Sequence, residues 1–228
     1  RSPRHLSLSP AELVRRVNAL DLPASIYSRG WIYGSWYCGS AWVKSTFFGQ
    51  YPGTFVKRIT TMFEGARMLH LCCGECHIDG AVNLDNQPRA AADVVADAEE
   101  LPFASDSFDV VLLDPPYSEE DARTRYGQSR LVSPGAVLRE ARRVLVPGGY
   151  VAWLDERYPR FSPEEFQAIG FIGIVTGEER RARVLSLFRR LARPTVGAAG
   201  QPATVREEPF GPVDGAANIE LAKKMLLV

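Results

Sequence analysis

The chain has 228 residues, with 27 basic and 27 acidic side chains, 46% hydrophobic residues and 24% charged ones, a composition that excludes disordered, collagen-like and disulfide-scaffold classes. It holds no run of about 18 apolar residues, the length a membrane-spanning helix needs, and Arg1 to His5 lack the apolar stretch of a signal peptide, so a cytoplasmic location and no membrane partner are expected. The net charge is zero but unevenly spread: residues 1–70 carry +6, residues 71–179 carry −11 and residues 180–228 carry +5.

Taken in chain order, Ser9-Pro10-Ala11-Glu12 opens a helix over 9–20, since Ser is a good N-cap and Pro suits the first turn. Residues 26–51 hold nine aromatics, among them Trp31, Trp36 and Trp42, punctuated by Gly30, Gly34, Gly39 and Gly49. That punctuation predicts no long regular element there. Phe55, Ile59 and Phe63 recur at helical spacing and predict a short helix over 54–63.

An alternation of strands and helices follows. Strands are predicted at Arg67–Leu71, Ala81–Leu84, Asp93–Val95, Phe108–Leu113 and Tyr150–Leu154. Ser133–Leu145 reads as an amphipathic helix stopped by Pro147-Gly148-Gly149, and Ser162–Ala168 as a second with Ser162 and Glu165 as a capping box. Phe171–Val175 and Arg183–Phe188 read as a closing hairpin that adds an antiparallel edge. Strands separated by helices predict an α/β, mostly parallel sheet. Residues 194–214 are rich in Gly, Pro and Ala and read as a linker, with a short helix over 216–227. The expected organisation is an aromatic-rich N-terminal cap over 1–65, a catalytic domain over 66–192 and a flexible tail over 193–228.

The cysteines are Cys38, Cys72, Cys73 and Cys76. Reduced thiols are the default inside a cell. Cys73-Gly74-Glu75-Cys76-His77 fits the C-x-x-C-H haem pattern, but it falls inside a motif with a better explanation. A structural zinc site would want a second C-x-x-C pair, which is missing, so no metal is expected.

Four features carry the chemistry. The first is Met68-Leu69-His70-Leu71-Cys72-Cys73-Gly74-Glu75-Cys76, an apolar strand running into a glycine turn. The second is Val82-Asn83-Leu84-Asp85, a strand ending in an acid, where dinucleotide folds hold ribose hydroxyls. The third is Ala96-Asp97-Ala98-Glu99-Glu100-Leu101-Pro102-Phe103-Ala104-Ser105-Asp106-Ser107-Phe108-Asp109. The fourth is Asp114-Pro115-Pro116-Tyr117, directly after the Phe108–Leu113 strand.

In this order the four motifs resemble the class I S-adenosylmethionine-dependent methyltransferases. The resemblance covers 68–155 well, 156–192 loosely and 1–50 hardly at all. It implies a Rossmann-like fold and S-adenosylmethionine as cofactor. It also implies cofactor contacts from His70, Leu71, Cys72 and Gly74 under the methionine part, Asp85 at the ribose, and Asp97 with the Ala98 backbone N–H at the adenine. Tyr51, in Gly49-Gln50-Tyr51-Pro52-Gly53, is expected near the cofactor's amino-acid end. The departures are His70 where an acid is common, and Cys72 and Cys76 where glycine is usual. Asp85 also follows Gly74 by eleven positions, against roughly 20 in dinucleotide folds, so a loop replaces the intervening helix, a shortening some members share.

Asp114-Pro115-Pro116-Tyr117 resembles the D-P-P-Y motif of enzymes that methylate planar nitrogens. The amino nitrogen of a base is conjugated and weakly nucleophilic. A carboxylate and the Pro115 carbonyl accepting from its two N–H groups localise the lone pair, and rigid prolines hold that geometry. Tyr117 can stack on an extruded base. The resemblance therefore implies methyl transfer to an exocyclic amino group of a nucleobase, adenine N6 or cytosine N4 in DNA first, with RNA as the other nucleic acid partner. Arg180, Arg181, Arg183, Arg189 and Arg190 are candidates for phosphate contacts. The rival readings are a small-molecule methyltransferase and an inactive nucleic-acid-binding scaffold, and cofactor titration separates the last from the others.

Overall fold

The computed structural model describes residues 8–20, 25–39, 51–126, 131–175 and 182–192. The chain divides into a unit Arg1–Arg193 and a second, Pro194–Val228. All that follows concerns the first, and the tail and its expected terminal helix lie outside the described residues.

The elements in chain order are α1 (Pro10–Asn18), β1 (Ser25–Ser28), β2 (Trp31–Tyr37), α2 (Phe55–Met62), β3 (Met68–Leu71), β4 (Val82–Asp85), β5 (Val94–Val95), β6 (Phe108–Leu113), α3 (Glu119–Tyr126), α4 (Pro134–Val144), β7 (Leu145–Asp155), β8 (Phe166–Val175) and β9 (Ala182–Arg190). The described strands form one sheet ordered β1-β2-β8-β9-β7-β6-β3-β4-β5. Counted from β3, that is the dinucleotide-fold order 3-2-1-4-5 with the antiparallel β9 inserted before the last parallel strand, β8. The fold is Rossmann-like, with a mostly parallel sheet and an antiparallel β8–β9 pair, as the resemblance implies.

Both faces of the central strands are covered, which is why Phe108–Leu113 reads as an unbroken apolar run. Alternate side chains go to opposite cores. Val110 and Leu112 join the cluster under α1 and α2, with Leu13, Phe55 and Ile59. Val111 and Leu113 join the cluster under α4, with Val137, Ala141 and Val144. Ser9 and Ser133 cap α1 and α4 through their hydroxyls, each followed by proline. At the lower edge the buried Asp109 carboxylate accepts from the Arg67 backbone N–H and from its guanidinium at 2.9–3.0 Å, tying the start of β3 to β6.

Three sequence expectations are corrected. The helix over Ser162–Ala168 is a single turn, because Ser162 caps only Glu165 and Phe166 through its carbonyl. From Phe166 the chain is strand β8, whose Ile172 and Ile174 fill the α1/α2 core on the β-period. The β8–β9 pair is not a sheet edge: β9 lies between β7 and β8, and the N-terminal β2 pairs parallel to β8 beyond it. The aromatic segment thus contains regular strands, since Ile32 and Trp36 alternate into the core while Tyr37 stays exposed. Pro147-Gly148-Gly149 lies inside β7, where an added Cβ at Gly149 would stand 2.9 Å from the Asp109 carbonyl.

The β2–β8 junction depends on Gly170, at φ +148°, where a Cβ would meet the Ile32 carbonyl oxygen at 1.9 Å. Gly170→Ala should therefore destabilise the fold by more than about 3 kcal/mol, whereas Gly173→Ala, facing neighbours no closer than 3.7 Å, should be nearly neutral. Thermal unfolding of the two variants, with amide exchange in β2, checks this; similar melting of both would show that the junction contributes little.

Candidate active site

The strands β3 and β6 are neighbours, yet the chain leaves β3 toward β4 on one side and leaves β6 toward β7 on the other. Such a switch point opens a crevice at the carboxyl ends of the strands, where ligands bind in folds of this kind. Here it is a cleft of about 460 Å³, solvent mouth included, whose walls include Cys72, Asp85, Asp97, Ala98, Asp114 and Pro116. Six of the residues read as candidate contacts thus line one cavity. Leu84, Asn86, Ala96 and Val132 line it as well. Asn86 adjoins a motif, while Val132 comes from the stretch before α4 and carried no sequence signal.

The other expected contacts sit beside or beneath the cleft. Leu71 is wholly buried in the core, as β3 is covered on both faces. Gly74, in a left-handed turn at φ +54°, donates its N–H to Asp85 Oδ2 at 3.0 Å, and Gln87 donates to Oδ1 at 2.9 Å. The loop and the carboxylate therefore hold each other. Cys72 is also left-handed, at φ +55°. A non-glycine residue pays of order 1–3 kcal/mol for such a backbone, so a side chain stands at the cleft wall where glycine would be relaxed. Burial, then the nearby Asp85 and Asp114 charges, push its thiol well up, so Cys72 is a neutral lining group and no nucleophile.

His70 is fully buried below this loop. Its Nδ1 lies 3.0 Å from Asn83 Oδ1 and its Nε2 3.0 Å from the Tyr51 hydroxyl. Asn83 Nδ2 donates to the Ile78 and Ala81 carbonyls and to Asp93, so Oδ1 is the acceptor. That assigns the proton to His70 Nδ1 and makes Nε2 the acceptor of the Tyr51 O–H. Burial holds the imidazole neutral, lowering its pKa to about 4. Tyr51, stacked on Phe55 at 4.8 Å, is committed to this network. Asn83 also accepts from the Ile78 N–H at 3.0 Å, so one amide satisfies the loop that replaces the missing helix between β3 and β4.

The Asp97–Phe103 loop is clamped by α4. Glu140 accepts from the Leu101 N–H at 2.8 Å, and Arg143 donates to the carbonyls of Leu101 (2.8 Å) and Phe103 (2.6 Å). Glu140 and Arg143 also pair at 2.6 Å. This fixes Ala98 at the cleft wall, while Asp97 Oδ1 accepts from the Glu99 N–H at 2.8 Å.

At the far wall, Asp114 Oδ1 accepts from the Tyr117 hydroxyl at 2.5 Å. Asp114 Oδ2 lies 3.9 Å from Arg183 Nη1, both side chains being 12% exposed. Burial pushes the carboxyl up to about 6, against the opposing pull of Arg183 and the Tyr117 hydrogen bond, with Asp155 adding to the rise. Pro115 is buried beside it. Of the arginines read as phosphate contacts, Arg183 and Arg190 point inward instead, Arg190 pairing with Asp106 and the Leu145 carbonyl. Arg180 and Arg181 lie outside the described residues. No local pattern distinguishes Arg183 from its neighbours; only the antiparallel path of β9 brings it to the cleft.

No protein-family model matches the chain. A curated relative, the mitochondrial 2-methoxy-6-polyprenyl-1,4-benzoquinol methylase of Caenorhabditis elegans, is 30% identical over 102 residues. The match takes in 42% of this chain and 32% of that protein, so the chain spans about a third of the relative's length. Among solved structures, TrmN from Thermus thermophilus aligns with 60% of this chain and 48% of its own, with a TM-score of 0.43 and 17% identity. The N-methyltransferase NodS from Bradyrhizobium japonicum aligns with 61% of this chain and 94% of its own, with a TM-score of 0.44 and 13% identity. A second NodS structure holds S-adenosyl-L-homocysteine.

His70 and Asp114, two buried groups among the described residues, have opposite consequences for stability. His70, lowered from 6.5 to about 4, contributes stability that is present above pH 6.5 and is lost as pH falls toward 4, on the order of 3 kcal/mol. Asp114, raised from 3.8 to about 6, contributes stability present at low pH and lost as pH rises through that window. His70→Gln should leave the Asp114 trend alone, so the stability gap between wild type and variant should widen from pH 4 to 6.5 and then level. Urea midpoints across pH 4–8 measure it, and a pH-independent gap would mean that His70 does not titrate as argued.

Proposed function

We propose that this chain is an S-adenosylmethionine-dependent methyltransferase acting on an exocyclic amino nitrogen of a nucleobase, in DNA first. One observation carries the reading: Asp114 and Pro116 of the Asp-Pro-Pro-Tyr corner line the same cleft as Asp85, Asp97, Ala98 and Cys72. The residues fit the cofactor. Asp85 ends β4 with both oxygens already oriented by backbone N–H groups, a stable acceptor for a ribose diol. The Asp97–Ala98 loop is immobilised for an adenine edge. Cys72 lines a further part of the wall, and the Gly74 turn holds Asp85 from behind.

S-adenosylmethionine, when bound, supplies an electrophilic methyl group on a sulfonium. The chain's own part is to ready the acceptor. The Asp114 carboxylate and the Pro115 carbonyl accept from the acceptor's N–H groups and turn its lone pair toward the methyl. The proton that the nitrogen gives up on methylation would pass to Asp114 and then to solvent. A carboxyl near 6 is ionised at neutral pH and basic enough to take that proton. Tyr117, tied to Asp114, offers a ring for stacking. A small-molecule acceptor is the second reading, favoured by the relative named for a polyprenyl benzoquinol.

Transfer of labelled methyl to duplex DNA, single-stranded DNA and total RNA, followed by nucleoside analysis, tests the proposal. Label in one amino-methylated base supports it and names the polymer; cofactor binding with no label in any nucleic acid moves the acceptor to a small molecule. Asp114→Ala should reduce transfer to background while cofactor affinity stays within a few-fold, and wild-type turnover should fall as pH drops through about 6. Retained turnover in that variant would exclude the amino clamp. Asp85→Asn should weaken cofactor binding by roughly 1–3 kcal/mol, the loss of a charged hydrogen bond, and calorimetry reads it directly; an unchanged dissociation constant would remove Asp85 from the ribose site.

A further inference from the structure

We propose that Arg183 is a positioning residue of the Asp114–Tyr117 corner, reaching in from β9 to hold the carboxylate and the phenol ring as one rigid unit. The inference rests on reading the cleft as the methyl-transfer site.

Three contacts close a ring. The Tyr117 hydroxyl donates to Asp114 Oδ1 at 2.5 Å. Arg183 Nη1 stands 3.9 Å from Asp114 Oδ2, close enough for ion-pair attraction yet beyond a hydrogen bond, so Oδ2 keeps its lone pairs for an incoming donor. The Arg183 guanidinium carbon lies 5.3 Å from the centre of the Tyr117 ring, a cation–π distance. One face of that ring is therefore taken by a cation, and a planar acceptor would have to stack on the opposite face. A base stacked there would complete an arginine–tyrosine–base sandwich. Lysine offers a point charge without the plate.

Charge makes the same demand. Asp114 is approached by Tyr117 within its own corner, by Arg183 from β9, by Asp155 at the end of β7, by Cys72 and Cys76 from the loop after β3, and by Tyr51 below. Of these groups Arg183 carries the positive charge. Asp155 and burial both favour a protonated Asp114, which would donate to the acceptor rather than accept from it. In a site this buried the Arg183 charge acts through a low dielectric and is weakly screened. The role also separates Arg183 from a phosphate contact, whose loss would lower affinity in a salt-dependent way.

Arg183→Met and Arg183→Lys test it, with melting curves to establish folding. In Arg183→Met the Asp114 carboxyl titration, followed by carbon-13 NMR without any acceptor, should move up by about one unit. With the acceptor found above, the acid limb of the kcat profile should shift up by the same unit, so that kcat falls about tenfold near pH 5 but only about twofold at pH 7, while the cofactor dissociation constant holds. Arg183→Lys should restore the titration and the acid limb but only part of kcat. An unmoved Asp114 titration in Arg183→Met overturns the proposal, as does a variant that loses only salt-dependent affinity for nucleic acid. Should wild type methylate no nucleic acid, the functional reading fails, and the NMR titration still decides what Arg183 does. If Arg183→Met does not fold, the titration in Arg183→Gln, which keeps a planar polar end without the charge, replaces it.

Discussion

Leu71 aligns with Leu113 on one side and with Leu84 on the other, and that parallel register carries everything built above it. The next residue on each strand is Cys72, Asp114 or Asp85, so three groups far apart in the chain arrive in one row at the carboxyl edge of the sheet. A slip of one residue would send every side chain of the slipped strand to the opposite face. The slip is prevented from both sides at once: Val110 and Leu112 fill one core while Val111 and Leu113 fill the other. The Asp109 carboxylate, which accepts from the Arg67 backbone N–H and guanidinium, further ties β6 to the start of β3 in this register.

The polar interior just under the cleft follows from a missing helix. A crossover helix after β3 would satisfy its own backbone. Here the loop 72–81 needs outside partners, and the Asn83 side chain provides them for Ile78 and Ala81. His70 and Tyr51 extend that network across β3 into the α1/α2 core. His70 is therefore a neutral imidazole that links the N-terminal segment, through Tyr51, to the Asn83 side chain that holds the loop after β3.

At the opposite wall, burial and charge oppose each other around one carboxylate. Burial raises Asp114, and the Tyr117 hydroxyl and Arg183 restrain it near 6. Under the function proposed above, that balance would let Asp114 accept hydrogen bonds from an amine and afterwards receive a proton. It also means that the last strand of the sheet, remote in sequence from the Asp-Pro-Pro-Tyr motif, sets the state of that motif.

Local sequence determined what depends on nearest neighbours and on period. The buried strand at Phe108–Leu113 coincides with β6, and the capped helices at Ser9 and Ser133 were legible from serine, proline and apolar spacing. So were the acids that end strands and the rigid Pro-Pro turn. The tertiary structure decided what depends on which strands pair. The turn after Ser162 looks like a helix start until Phe166 finds a place in the core. Trp31–Tyr37 reads as broken by Gly34 until β8 offers it a partner. Glu140 and Arg143 are polar positions on the helix read over Ser133–Leu145, and only the fold lays the Leu101–Phe103 loop against them. Arg183 is one arginine in a basic stretch until β9 runs antiparallel beside β7 and delivers it to Asp114. Each of these is a contact between segments distant in the chain, and a local pattern of residues cannot encode which distant surface it will meet.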